Sequence, residues 1–206
     1  MKIHRKIRLF AISLVFISIS FSAYTQRCDT YNYLKKYPQI SSSSTYRVDG
    51  LNKSARDTIA NEVITIPVVI HVLYNNASQN VSDAQILSQL QSLNNDYRRL
   101  NADALNVPAA FAPLAADARI VFCLAKIDGF GKATTGIIRK YTSTQNWMAD
   151  DGMKFSSQGG DNAWDSKRYF NIWVCNLFGR NLGYSSLPGS QVDKDGVGIQ
   201  YNAFGT

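Results

Sequence analysis

The segment EVITIPVVIHVLY (62–74) places the strongest constraint on the fold, because it is rich in β-branched residues and would be apolar on both faces of an extended chain. A strand with two apolar faces must be covered on both sides, as the central strands of α/β sheets are. Pro67 suits a position near the start of such a strand, since proline cannot donate to the ladder. The segment therefore predicts a central, fully buried strand.

A single long helix is predicted after this strand. Ser82 is a suitable N-cap, and Gln85 stands three residues later, which is the spacing of a capping box. Apolar residues then recur every three or four positions and predict one continuous stripe, formed by Ile86, Leu87, Leu90, Leu93, Tyr97 and Leu100.

Shorter apolar segments predict the other strands, with Pro188-Gly189 and Asp195-Gly196 as turns near the end. These segments are 118–127, 169–178, 182–187 and 196–201, together with 136–141 as a further short candidate. The first strand–helix–strand unit predicts a parallel pair with a right-handed crossover, and the close spacing of the later strands requires at least one antiparallel pair. We expect an α/β domain with a mixed, twisted sheet of about five strands and one long backing helix.

Residues 1–23 have the order of a cleaved secretory signal peptide. Four basic residues and no acid precede an apolar run at 9–23, which ends in small residues. A membrane anchor is the alternative, but the run is short for a span of roughly 20 residues and contains four serines. The sequence thus predicts a secreted, extracellular protein that has no membrane association after signal cleavage.

The charge of the chain changes when the signal is removed. The formal net charge is +7, from 22 basic and 15 acidic residues, and loss of the four basic residues of the signal leaves 18 against 15, or +3. The remaining basic residues are mostly scattered, so no basic patch predicts a nucleic-acid partner. Three cysteines are too few for a disulfide scaffold.

Residues 24–62 are polar and poorly periodic, and we interpret them as an extension outside the core. The early helix can cover only one face of the sheet, and no later segment predicts a second covering helix. Two hypotheses follow for the other face: either residues 24–62 cover it, or a covering element lies outside this sequence.

The residues that carry chemistry form no complete active site by sequence alone. His71 is the only histidine after the signal, and its place in a buried strand favours a core histidine bonded to a neighbour; one histidine cannot make a zinc site. Cys123 and Cys175 fit buried thiols, whereas Cys28 lies in the polar extension, where a thiol needs a partner or a metal. Asp161 and Asp165 fit helix or turn caps, and residues 193–196 fit a turn better than a calcium loop.

Six ordered stretches resemble the pappalysin (cytophagalysin) family of secreted metzincin zinc metallopeptidases. They span about residues 64–206 and read IPVVIHVLY (66–74), LNNDYRRLN (93–101), IVFCLAKIDGFGKATTGI (120–137), GGDNAWDSKRYFNIWVCNL (159–177), LGYSSLPG (182–189) and DGVGI (195–199). The resemblance implies a signal at 1–23, a propeptide-like extension at 24–62, and at 63–206 the upper N-terminal subdomain of a catalytic domain, cut before the zinc motif HExxHxxGxxH.

The resemblance also implies an activity, which is hydrolysis of peptide bonds in protein or peptide substrates by zinc-activated water. The zinc ligands and the general base are not in this chain, and calcium, which some relatives bind, would also lie downstream. We therefore predict no catalytic and no metal-ligating residue here, and an isolated chain that is inactive. The missing zinc helix is predicted to pack on the open face of the sheet.

Two features are carried over from the family residue by residue. The substrate-binding edge strand corresponds to Leu182, Gly183, Tyr184, Ser185 and Ser186, with an ordinary edge strand as the alternative. Gly183 would let the backbone of a bound peptide approach closely. Arg27-Cys28 resembles a propeptide switch in which the thiolate ligates zinc and silences the enzyme; Asp29 replaces the usual glycine and is itself an alternative ligand.

A different class of function fits the same sequence. The chain could be a secreted, non-catalytic module that binds peptides or proteins through the same edge. Such a module predicts a stable monomer, whereas a truncated enzyme predicts exposed apolar surface.

Overall fold

The computed structural model describes residues 28–36, 62–187 and 190–206. The signal peptide, most of the extension and the predicted Pro188-Gly189 turn lie outside these residues. The described helices are α1 (Thr30–Lys36) and α2 (Asp83–Tyr97), and the strands are β1 (Ile64–Tyr74), β2 (Ile120–Leu124), β3 (Ile137–Tyr141), β4 (Phe170–Cys175), β5 (Gly183–Ser185) and β6 (Val197–Gln200). Within the described ranges, no helix has the length and apolar character needed to cross a bilayer.

The strands form one mixed sheet with the order β2-β1-β4-β6-β5, and β3 pairs with the second half of β1. All pairs are parallel except β5–β6, which is antiparallel. The predicted parallel unit of β1, α2 and β2 and the predicted antiparallel pair are both confirmed. The predicted α/β class, with a mixed sheet of about this size and one main helix, is confirmed as well.

The first face of the sheet packs on α2. Ser82 caps this helix as predicted, because its Oγ accepts the Gln85 backbone N–H at 3.1 Å. The Gln85 side chain does not complete a capping box; it donates to the carbonyl groups of Tyr201 and Phe204. The buried core of this face contains residues from the helix and the loop before it, three strands and the C-terminal segment: Val68, Ile70, Val72, Val81, Ile86, Leu90, Phe122, Ile172, Val174 and Phe204.

The predicted apolar stripe is wrong at its ends. Ile86 and Leu90 are buried, but Leu87 is 55% exposed, since it lies about 100° around the helix from Ile86. Leu100 is 72% exposed and lies beyond the helix, which ends because Arg99 adopts a left-handed conformation with φ 54°.

The second face is covered by irregular chain, so the expectation of an open face is wrong. Residues 142–169 fold over it with short 3₁₀ turns at Gly152–Lys154 and Ser156–Gln158, and α1 adds Tyr33, which is 1% exposed. The buried cluster on this side contains Tyr33, Leu73, Trp147, Met153, Trp173, Cys175, Leu177 and Tyr184. The extension thus contributes Tyr33 to the core, although it was interpreted as lying outside the core, and this supports the hypothesis that residues 24–62 help to cover this face. The predicted packing of a zinc helix here is wrong, because the chain's own residues fill the space.

Burial of Cys175 predicts a loss of stability at alkaline pH. The thiol is fully buried on the second face, and burial raises its pKa above the ordinary 9.0. The unfolded chain therefore releases this proton at lower pH than the folded chain, and stability present below pH 9.0 is lost as the pH rises further. Unfolding in urea at pH 8 and 10 should show that Cys175→Ala removes about 1.4 kcal/mol of the stability that the parent loses between these two pH values, because the group contributes mainly above pH 9.0. An unchanged slope would contradict the assignment.

Candidate peptide-binding edge

Strand β5 forms one edge of the sheet, and its polar groups divide between the sheet and the outside. The antiparallel register pairs Tyr184 with Gly198. On either side of that pair, the Leu182 carbonyl accepts from Gln200 N–H at 2.9 Å, and Ser186 N–H donates to the Gly196 carbonyl at 3.1 Å. The Gly183 carbonyl and the Ser185 N–H bond to residues on the other side of the strand. Strand β5 (Gly183–Ser185) therefore lies at the end of the strand order, and its role in binding substrate stays a prediction.

The N-terminal segment already occupies this edge. Cys28 forms a parallel β-bridge with Gly183, and Asp29 N–H donates to the Gly183 carbonyl at 3.1 Å. One residue on, Ser185 N–H donates to the Thr30 Oγ1 at 3.2 Å. The structure thus brings together the two predicted sites, the edge strand and the Cys28–Asp29 pair, although some 150 residues separate them in the sequence.

Cys28 and Asp29 have different roles in this contact. Both carboxylate oxygens of Asp29 accept hydrogen bonds, one from Asn32 Nδ2 at 2.8 Å and one from Asn181 Nδ2 at 3.0 Å. Its carbonyl accepts Tyr33 N–H at 2.9 Å in the first turn of α1. Cys28 is exposed, and its thiol donates to Thr30 Oγ1 at 3.2 Å. Asp29 therefore fastens the segment to the edge, while Cys28 presents its sulfur at the surface.

Gly183 serves the sheet itself. A Cβ at this position would lie 2.9 Å from the Gly198 carbonyl oxygen in β6. The prediction concerned the backbone of a bound peptide, whereas the backbone that approaches Gly183 here belongs to β6 of the same chain. The glycine does not by itself indicate a bound peptide.

Tyr33 extends from α1 into a pocket on the second face of the sheet. Its hydroxyl donates to Asp151 Oδ2 at 2.7 Å, and its ring lies 5.2 Å from the Tyr184 ring, measured between centroids. Asp151 is 1% exposed and Tyr184 is 1% exposed. The N-terminal segment is thus held both at the edge of β5 and beneath it.

A buried lysine forms the floor of this pocket. Lys154 Nζ lies 2.9 Å from Asp151 Oδ1 and donates to the Lys194 carbonyl at 2.6 Å. Three aromatic rings surround the ammonium group, with centroids at 5.8, 5.3 and 5.2 Å for Tyr33, Trp173 and Tyr184. Burial lowers the pKa of Lys154 and raises that of the Tyr184 phenol.

Sequence reasoning missed Tyr33, Asp151 and Lys154. The available signal was an acid and a base three residues apart in an irregular segment, and this spacing is too common to identify a buried pair. Tyr33 carried no signal, because its segment has no apolar period.

His71 is a core histidine, as predicted. Its Nδ1 lies 2.6 Å from Asp161 Oδ2, and its Nε2 donates to Asn171 Oδ1 at 3.1 Å. The prediction that Asp161 is a cap is therefore wrong, because the folded loop points this carboxylate at the imidazole. Asp165 does cap a turn, since its side chain accepts Lys167 N–H at 3.1 Å. Asp195 accepts from Ser186 Oγ at 2.9 Å within the predicted turn.

An apolar groove of about 410 Å³ lies between α2 and the sheet. Its walls include residues from α2, β2, β4 and β6, among them Leu93, Phe122, Phe170, Val197 and Ile199. Among the described residues, an accessible apolar surface of the sheet therefore lies on the helix side, opposite to the face on which an open surface was expected.

The described residues do not fit a zinc ion. Among residues 28–36, 62–187 and 190–206, no three histidine, cysteine or acidic side chains lie close enough together to hold a metal. A catalytic zinc typically needs three protein ligands, so no step of a reaction can be derived through zinc from these residues.

Comparisons with known proteins identify a relative by structure. No protein-family profile and no curated protein matches the chain. Mature mirolysin of Tannerella forsythia in complex with a cleaved peptide is 53% identical with a TM-score of 0.67, and the match covers 70% of this chain and 55% of that one. Mirolysin in complex with a small compound gives the same values.

The proform of that protein matches more of the chain. A point mutant of Tannerella forsythia promirolysin is 43% identical with a TM-score of 0.70, over 87% of this chain and 61% of that one. The chain therefore spans 55 to 61% of the length of the mirolysin chains that it matches, and over the matched residues it has their fold. This likeness supports a relation to metzincin-like proteases.

Proposed function

We propose that this chain is the N-terminal part of a secreted zinc metalloendopeptidase of the metzincin type, in its zymogen form, and that the pappalysin resemblance gives its family. The observation that carries the proposal is the pairing of residues 28–30 with the β5 edge, in a chain that resembles both promirolysin and mature mirolysin. Since no metal-ligand set lies in the described residues, the isolated chain is proposed to be inactive.

The difference in coverage supports a propeptide at the N-terminus. The proform matches 87% of this chain and the mature form 70%, a difference of 17% of 206 residues, or about 35 residues. The proposed catalytic part begins at residue 63, and the proposed extension at 24–62 is of comparable length. Residues 28–36 then belong to the part of a zymogen that activation removes.

The edge supplies main-chain recognition. An extended peptide that adds to β5 can accept from Ser185 N–H and donate to the Gly183 carbonyl, whatever its side chains are. In the zymogen, Asp29 and Thr30 use these two groups, so a substrate and the propeptide compete for the same edge. The zinc and its general base would come from residues that are not in this chain.

Cys28 is the better candidate for the propeptide side chain that binds zinc and keeps the zymogen inactive. The resemblance offers Cys28 and Asp29 as alternatives, but the Asp29 carboxylate is engaged by Asn32 and Asn181. The Cys28 thiol is exposed, and a thiolate is a strong zinc ligand. In the longer protein, its sulfur would hold the zinc position that water occupies during hydrolysis.

The proposal is tested by comparing this chain with the product of the reading frame extended past Thr206. The extended protein should bind one zinc per chain and cleave casein after activation, with chelator-sensitive activity. The 206-residue chain should bind far less than one zinc and leave casein intact. An extended frame that lacks an HExxH motif, or chelator-sensitive cleavage by the chain as given, would overturn the proposal.

A second candidate function is a secreted, non-catalytic module that binds peptides through β5. The observation in its favour is that the second face of the sheet is sealed by the chain's own residues, as a self-sufficient domain requires. A cooperative melt and slow amide exchange throughout the sheet favour the module, whereas binding of an apolar dye in the groove beside α2 favours the enzyme fragment.

A further inference from the structure

The pocket that holds Tyr33 has the features of a binding site for a tyrosine side chain. Tyr33 is almost completely buried, and it enters from a short described segment, residues 28–36, which also contacts β5 and the loop before it through Asp29 and Thr30. The walls of the pocket come from separate parts of the domain: Asp151 and Lys154 from the covering loop, Trp173 from β4 and Tyr184 from β5.

The chemistry of the pocket matches a phenol. Asp151 Oδ2 accepts the hydroxyl hydrogen at 2.7 Å, and the Tyr184 ring packs against the aromatic face. Lys154 lies under the ring, where an ammonium group favours an aromatic face over an aliphatic side chain. A phenylalanine would keep the ring contacts but leave the Asp151 oxygen without this donor, so the pocket distinguishes a phenol from a phenyl ring.

The pocket also has a fixed relation to the edge. Asp29 and Thr30 bond to Gly183 and Ser185, and one turn of helix places Tyr33 on the other side of β5, against Tyr184. A peptide that carries Asp-Thr followed by a tyrosine three residues later can make the same two contacts.

We propose that the domain formed by residues 63–206 has a subsite that binds a tyrosine side chain. The subsite is lined by Asp151, Lys154, Trp173 and Tyr184. Tyr33 fills it in the zymogen, and a tyrosine of another peptide chain binds there once residues 28–36 leave. The inference rests on the proposed function in one respect, namely that this segment is removable. The inference goes beyond the proposed function because it assigns specificity for a side chain to a site on the face of the sheet opposite to α2.

The test uses the whole chain with a site-specific protease sequence placed within residues 41–47. After cleavage, fluorescence anisotropy measures binding of labelled peptides that span residues 26–38, all with Cys28→Ser to prevent disulfide formation. We expect Tyr33→Phe to weaken binding about tenfold and Tyr33→Ala more than about 100-fold, because the first loses the bond to Asp151 and the second also loses the buried ring. A peptide with alanine at 31, 32 and 34–36, which keeps Asp29, Thr30 and Tyr33, should bind within about tenfold of the parent.

Lys35→Ala is the matched control, since Lys35 is exposed in the same helix, and it should bind like the parent. Equal binding of the parent peptide and the Tyr33→Ala peptide would overturn the inference. Two other results would also overturn the inference: a cleaved segment that never exchanges with free peptide, and a domain that unfolds when the segment leaves. In either case Tyr33 would be a permanent core residue. The readout needs no enzymatic activity, so absence of protease activity in the extended protein would defeat the proposed function and leave this result standing.

Discussion

Replacement of Asp151 by asparagine is expected to lower the free energy of unfolding by about 3–5 kcal/mol, because it leaves the Lys154 ammonium group buried without its counter-charge. Both side chains are almost fully buried, and Lys154 Nζ lies 2.9 Å from the carboxylate. Asparagine has nearly the same shape and tolerates the left-handed conformation of residue 151, where φ is 69°, so backbone strain does not contribute. Urea unfolding followed by tryptophan fluorescence measures the change.

The matched control is Asp83→Asn, which removes an equal charge from the ion pair with Arg139. Asp83 is 71% exposed, so its loss should cost less than about 1 kcal/mol. Adding Lys154→Met to Asp151→Asn should recover much of the stability, because no unpaired buried charge remains. Equal effects of the two Asp→Asn changes, or no recovery in the double variant, would show that the buried pair does not carry this stability.

The first face of the sheet was predictable because its determinants are local. The apolar run of β1, the Ser82 cap and the spacing of Ile86 and Leu90 each act within one element, and a parallel β1–β2 pair follows from the crossover rule. The errors at Leu87 and Leu100 also have local causes, which are the angle between successive helical residues and the left-handed Arg99.

The second face was not predictable because its cover has no period. Individual side-chain contacts, such as the one between Asp161 and His71, hold residues 142–169 on the sheet. A sequence pattern does not reveal which acidic side chain pairs with which basic one. Lys154 is polar in any hydropathy profile and becomes a core residue only because Asp151, Tyr33 and Tyr184 converge on it. The expected open face followed from counting helices, whereas an irregular loop with satisfied polar groups can cover a sheet equally well.

The candidate site was half predictable for the same reason. The resemblance located β5 and Cys28 separately, and each prediction concerned one short segment. The contact between them is long-range: Asp29 bonds to Gly183 and Thr30 to Ser185. A local sequence pattern contains no information about such contacts. The Tyr33 pocket depends on three such long-range contacts together, and it is therefore the part of the site that only the structure reveals.

Substitution of Gly160 by alanine is expected to destabilise the protein by about 3 kcal/mol, the upper part of the usual range for overpacking. A Cβ at residue 160 would lie 2.1 Å from the Met153 carbonyl oxygen and 2.4 Å from its carbon, which are backbone atoms that no side-chain rotation can move aside. At this point the covering loop closes on itself, since Asp161 N–H donates to the same Met153 carbonyl at 3.0 Å. The displaced loop would also draw Asp161 away from His71, so the histidine's NMR signals should shift.

Gly129→Ala is the control, because a Cβ there meets no atom within 4 Å and neither glycine has a positive φ. The two variants add the same methyl group to the same residue type, and they differ in the space that receives it. Thermal or urea unfolding should therefore leave Gly129→Ala within about 0.5 kcal/mol of the parent, as surface substitutions generally are. If Gly160→Ala unfolds at the same urea concentration as Gly129→Ala, the tight closure of residues 153–161 over the second face is wrong, and with it the placement of Asp161 against His71.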